Sequence, residues 1–179
     1  MSKTNLGKLI LLLVVVAGAI LLAWRLREPR PVAIGDPAPD FKLPALGPGS
    51  LSLGDYRGQV VLVNFWATWC PPCVEETPGL EKFSEQMREQ GVTVIGVSVD
   101  QNRRAVEEFV THYGLSYPIA LDSHQAVAGR FGTFKFPETY ILDREGNVAE
   151  KIIGATDWQD PRLISFVQDL ARGHGRSGK

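Results

Sequence analysis

Val60-Val-Leu-Val-Asn-Phe-Trp-Ala-Thr-Trp-Cys-Pro-Pro-Cys73 decides the fold of this chain. Val60–Trp66 is a near-continuous apolar, β-branched and aromatic run, the pattern of a strand covered on both faces. The only two cysteines in 179 residues follow it after Ala67-Thr-Trp69, with two residues between them. A Cys-x-x-Cys where a strand hands over to a helix suits reversible thiol–disulfide exchange. The thiol nearer the helix start meets unpaired backbone N–H groups and the positive end of the helix dipole, which favour thiolate and lower its pKa. The second thiol, one turn on, lies within reach to close a disulfide.

Downstream, a helix is expected from about Cys70 to Gln90, with Leu80, Phe83 and Met87 on its buried face and Pro78 as a source of kinking. Thr93–Val99 reads as a strand and Arg103–Tyr113 as a helix stopped by Gly114. Pro118–Leu121 is strand-like and Gln125–Phe131 a short helix. Thr139–Leu142 and Val148–Ile153 are strands joined by the turn Asp-Arg-Glu-Gly-Asn147. The last helix starts at Asp160-Pro161, a capping residue followed by proline at the first helical position. Upstream, Asp40–Leu43 and Ser50–Leu53 alternate polar and apolar residues around a Gly/Pro-rich loop, as in a short hairpin. Strands alternating with helices and a closing hairpin mean an α/β sandwich.

The N-terminus is a separate object. Leu9–Trp24 is uncharged and largely apolar, with Lys3 and Lys8 before it and Arg25, Arg27 and Arg30 after. Sixteen residues at ~1.5 Å rise span about 24 Å, but Leu6–Leu26, with Lys8 and Arg25 snorkelling, spans about 31 Å and crosses a bilayer core of roughly 30 Å. The small residues Ala17-Gly-Ala19 lie inside the run and not beyond it, so an uncleaved anchor is favoured over a cleaved signal peptide. A short basic start before an apolar segment directs the remainder outward. Residues 1–8 are thus expected in the cytoplasm, 9–26 as a transmembrane anchor and 27–39 as a proline-interrupted linker. Residues 40–172 form the folded domain and 173–179 a disordered tail. Past Arg30 the chain carries 14 basic against 19 acidic residues, a net −5, which argues against nucleic acid as a partner.

Four motifs occur in order: Gly35-Asp-Pro-Ala-Pro-Asp-Phe41, Leu-Ser-Leu-Gly-Asp-Tyr-Arg-Gly58, Phe-Trp-Ala-Thr-Trp-Cys-Pro-Pro-Cys73 and Phe-Pro-Glu-Thr-Tyr-Ile-Leu-Asp143. Over residues 34–170 the chain resembles the membrane-anchored thioredoxin-like proteins of the TlpA, ResA and CcmG type. The resemblance implies a thioredoxin fold with an N-terminal β-hairpin and an inserted βα element at Gln101–Leu121, preceded by one transmembrane helix. It implies that Cys70 attacks and Cys73 resolves, forming a redox-active disulfide with no other cofactor. It matches Pro137 to a cis-proline facing the active site, leaving the backbone of Phe136 to pair with substrate. Trp66 and Trp69 pack around the motif in related proteins; Trp69 is expected on the surface beside Cys70, while Trp66 reads at least as well as plain core. Glu76 matches a glutamate of this group, where a buried carboxylate near the cysteines accepts and returns a proton. Ordinary thioredoxins carry an Asp six residues before the first cysteine; here that position is Asn64, which cannot titrate.

The resemblance implies an extracytoplasmic reductase of exported protein disulfides, anchored with its catalytic domain in the periplasm. Expected clients are apocytochrome c or a copper-site assembly factor, and the expected electron donor is a membrane thiol reductase. Competing readings are an oxidase that donates disulfides, a thiol peroxidase sharing Gly-Asp-Pro-Ala-Pro-Asp-Phe, and a copper or metallochaperone-binding module using the two thiolates. Structural zinc is disfavoured because His112, His124 and His174 show no paired spacing.

Overall fold

The computed structural model describes residues 3–25 and 30–173. The chain divides into two compact units at Arg30/Pro31. The first holds α1 (Lys3–Arg25), whose described side chains from Ile10 to Leu21 are all exposed. Among the described residues no helix is long and apolar enough to cross a membrane. The far end of the expected linker, residues 27–29, and the tail beyond Gly173 lie outside the described residues.

The second unit is built on a five-stranded sheet of order β5-β4-β3-β6-β7. Its strands are β3 (Val60–Trp66), β4 (Val92–Ser98), β5 (Ile119–Leu121), β6 (Glu138–Leu142) and β7 (Val148–Ile153). All seven residues of β3 are buried, as its unbroken apolar run requires. β3 runs parallel to β4 and antiparallel to β6. Alternation along β3 sends neighbouring side chains to opposite faces. Phe65 meets Phe131 of α4 (Ala126–Phe131) at 5.2 Å between ring centroids. Asn64 and Trp66 face the other way, toward α2 (Pro71–Arg88) and α3 (Arg103–Tyr113) respectively. The helix α5 (Pro161–Ala171) is capped by the Asp160 carboxylate, which accepts the Arg162 N–H.

Most elements match the sequence reading to within two residues. α2 stops at Arg88 because the chain then tightens into i→i+3 bonds, the Gln90 N–H donating to Met87 O and the Gly91 N–H to Arg88 O, and Gly91 reverses it with a φ of 76°. The expected hairpin is present as β1 (Lys42–Pro44) paired with β2 (Ser50–Ser52), separate from the main sheet. Gln101–Leu121 supplies α3 and the edge strand β5.

The linker needs correction. From Pro31 to Pro39 the chain forms neither helix nor strand and turns at Ile34–Gly35, where the Asp36 N–H donates to Ala33 O, but it belongs to the folded unit. Val32 N–H donates to Phe131 O, Gly35 N–H to Val148 O, and Ala38 N–H to Gly146 O. Proline forbids helix and central strand, not edge pairing, and Pro37 bridges Asn147 at the sheet margin. The domain therefore begins at residue 31, not 40.

Candidate active site

The turn Ala67–Cys70 leaves the end of β3 and is closed by the Cys70 N–H donating to Ala67 O at 3.3 Å. Cys70 is the N-cap of α2 and is joined in a disulfide to Cys73, with Cα atoms 5.3 Å apart. Both are buried. The helix start differs from the expected one in a chemical detail. Pro71 and Pro72 occupy its first two positions and have no N–H, so Cys73 is the first residue of the turn able to donate. The dipole still favours thiolate at Cys70, with fewer direct donors to help it.

The Phe136–Pro137 bond is cis, as the resemblance implied. Pairing of Phe65 with Glu138 sets Pro137 beside the end of β3, where the cysteine loop departs. Trp69 is 63% exposed and meets the Phe136 ring edge-on at 6.1 Å. The structure thus brings Cys70, Trp69, Phe136 and Pro137 to one end of the sheet. Phe134, two residues before Phe136, is also an exposed aromatic, at 76%.

Glu76 lies three residues after Cys73 on the same buried side of α2, at 6% exposure. Its Oε1 accepts from Asn64 Nδ2 at 3.0 Å, and its Oε2 from the Thr156 N–H and the Trp158 Nε1–H, both at 3.2 Å. Desolvation by burial raises its pKa above the ordinary carboxylate value. The three hydrogen bonds, which stabilise the anion, offset this only in part. Asn64 cannot titrate, but it is far from idle: the same Nδ2 also donates to Thr139 Oγ1 at 2.9 Å, tying α2 to β3 and β6.

A second buried carboxylate, Glu138, directly follows Pro137. It is held by Lys151 Nζ at 2.5 Å and the Tyr140 hydroxyl at 2.7 Å. Burial pulls the Lys151 pKa down, but the bonds to Glu138 and Tyr140 outweigh it and the net direction is up. The sequence reading passes over Trp158, Thr139, Phe134 and Glu138. Trp158 had a signal, an isolated indole in the polar stretch Asp157–Gln159, but only the fold shows that it meets Glu76. Among the described residues no three His, Cys, Asp or Glu side chains gather, so a copper reading rests on the two cysteines alone.

The AhpC/TSA family matches residues 34–151. The chain belongs to the AhpC/TSA family. Within this family it is 34% identical over 157 residues to the thiol-disulfide oxidoreductase ResA of Bacillus thuringiensis, covering 86% of this chain and 91% of that protein. It is 36% identical over 152 residues to ResA of Geobacillus thermodenitrificans, covering 85% and 87%. A solved Chlorobium tepidum structure, described as a candidate DsbE thiol:disulfide interchange protein, superposes with a TM-score of 0.73 at 26% identity. It covers 78% of this chain and 99% of its own. This AhpC/TSA member is therefore a thiol-disulfide oxidoreductase of the ResA/DsbE type, on a thioredoxin-like fold with a Cys-x-x-Cys pair.

Proposed function

We propose that this enzyme reduces disulfides of exported proteins from an anchored position outside the cytoplasm. The observation that carries the reading is one juxtaposition. A Cys70–Cys73 pair heads the helix that carries the buried Glu76, whose pKa burial raises, and an exposed apolar edge, Trp69 with Phe136-Pro137, lies at the same end of the sheet.

In the reduced enzyme the Cys70 thiolate attacks one sulfur of the substrate disulfide. That S–S bond breaks, a mixed disulfide forms, and the departing substrate thiolate takes up a proton. Cys73 loses its proton to the Glu76 carboxylate and attacks the Cys70 sulfur. The second substrate thiolate leaves and is protonated by Glu76, so two electrons and two protons pass to substrate and Cys70–Cys73 is left as a disulfide. A membrane thiol reductase then returns the two electrons. Apocytochrome c thiols and copper-site assembly factors are the proposed clients, met at the Trp69–Phe136 edge.

The basic start and the apolar run of residues 9–26 support an uncleaved single-pass anchor with a cytoplasmic N-terminus and a periplasmic domain. Cys73→Ser should trap clients on Cys70 as disulfide-linked adducts that reductant releases. Absence of such adducts, or adducts that survive Cys70→Ser, refutes the reading. Reductive use also predicts a potential nearer thioredoxin's ~−270 mV than DsbA's ~−120 mV.

A further inference from the structure

A third buried carboxylate takes no part in these steps. Asp100 lies just past the end of β4 at 5% exposure. It accepts hydrogen bonds from the Thr68 N–H at 3.0 Å, the Thr68 hydroxyl at 2.6 Å and the Ser98 hydroxyl at 2.8 Å. Ser98 Oγ in turn accepts the Asp100 N–H at 3.1 Å. A carboxylate is unfavourable in such a site unless it is hydrogen-bonded, and two of these three donors belong to one residue.

That residue is a central member of the turn Ala67–Cys70. The sheet's hold on this chain ends at Trp66, whose carbonyl accepts the Val99 N–H at 3.0 Å. Two residues further on, Asp100 takes over, gripping Thr68 by backbone and side chain at once. This sets both the path of the turn and the Thr68 rotamer. The next two residues are Trp69, which rests on Phe136, and Cys70, which heads α2. The charge of Asp100 does not serve the nucleophile, because a carboxylate beside the loop disfavours a thiolate there. Its service is geometric.

We propose that Asp100 is a positioning residue for the exchange reaction, acting through Thr68 to hold Trp69 against Phe136 and Cys70 in line for attack beside Pro137. This rests on the reading of Cys70 as the attacking thiol. Thr68 is the sensitive probe. It is only half-buried, so water can replace a lost hydroxyl bond with little harm to the fold. Removing Asp100 leaves the buried Ser98 hydroxyl and both half-buried Thr68 donors unmet.

The test compares the reduced full-length chain with its Thr68→Val, Thr68→Ser and Asp100→Asn variants, using a synthetic peptide disulfide as substrate. The rate constant for mixed-disulfide formation is followed against pH, beside the thiolate absorbance of Cys70 and the unfolding midpoint. Thr68→Val should slow attack about tenfold, within the ~10²-fold that a 1 Å misplacement can cost. The slowing should hold across the pH range with the unfolding midpoint kept, and Thr68→Ser should restore the rate. Asp100→Asn, if it folds, should slow attack at least as much. An unimpaired Thr68→Val beside an active wild type overturns the clamp alone, as does a slowing that tracks only a shifted thiolate titration or a lost fold. A wild-type chain that does not exchange through Cys70 removes the functional reading and the clamp with it.

Discussion

Glu76 is held by three donors and still keeps its proton to higher pH than an ordinary carboxylate, so burial outweighs hydrogen bonding at this site. An unfolded glutamate titrates near ~4.3. Between that value and the raised folded one, the native state binds more protons than the unfolded state, so stability falls as pH rises. The contribution is fully present below the unfolded pKa and is lost as pH climbs through the folded one. Glu76→Gln should flatten that part of the stability–pH curve, measured by denaturant unfolding at a series of pH values. Its amide can be accommodated if the Asn64 side chain flips and Thr139 becomes the donor. Resolution of the mixed disulfide by Cys73 should slow about 10²-fold, the low end of a general acid–base contribution. An unchanged resolution rate would show that Glu76 is structural only. At this scale the sequence was legible where chemistry is local. Glu76 and Pro137 are marked only by the resemblance to the TlpA, ResA and CcmG group, whereas Cys70 and Cys73 stand out by type and spacing. Trp158 and Thr139 did not, because they lie 82 and 63 residues from Glu76 along the chain and meet its network only after β6 and the loop before α5 fold back.

Gly96 shows what periodicity cannot say about an element. β4 was readable from Thr93–Val99 as an apolar run, and it pairs with β3 over its whole length. Nothing in that run explains a glycine at its middle, where the residue weakens a strand. The structure does. A Cβ at Gly96 would sit 2.8 Å from Ile119 Cδ1, 2.9 Å from Trp66 Nε1 and 3.0 Å from Tyr117 Cε2. The glycine lets the β5 approach and the indole beside the active-site loop close on the same strand. Gly96→Ala should therefore destabilise the domain by about 1–3 kcal/mol, the usual cost of overpacking, seen as a lower urea midpoint at unchanged m-value. A midpoint equal to wild type would mean that Trp66 and Tyr117 yield freely. The same limit explains why α2 was drawn two residues too long. Its hydrophobic face continues to Met87, but the exit is set by the tight turn into Gly91.

On the scale of the whole chain, the boundary between the N-terminal segment and the domain is where composition misleads most. Four prolines between residues 25 and 39 read as a tether, since proline excludes helix and central strand alike. Yet Val148 N–H donates to Asp36 O while Gly35 N–H donates to Val148 O, both at 2.8 Å, so this stretch is sewn to β7 from both sides. Ala38 and Phe41 are buried, and Phe41 meets Phe131 at 6.3 Å between ring centroids. Two truncations separate the readings. Starting the chain at Pro31 removes only the first unit and should leave the urea midpoint and the rate of peptide-disulfide exchange unchanged. Starting it at Asp40 strips the bonds to Phe131, Gly146 and Val148. At ~1 kcal/mol net per hydrogen bond, and less the ordering entropy of the strap, this should cost about 2–4 kcal/mol. Because Val32 is bonded to Phe131, one residue before Gly132 and the loop carrying Phe134 and Phe136, exchange should slow along with the loss of stability. Equal midpoints for the two truncations would restore the linker reading and return the start of the domain to residue 40.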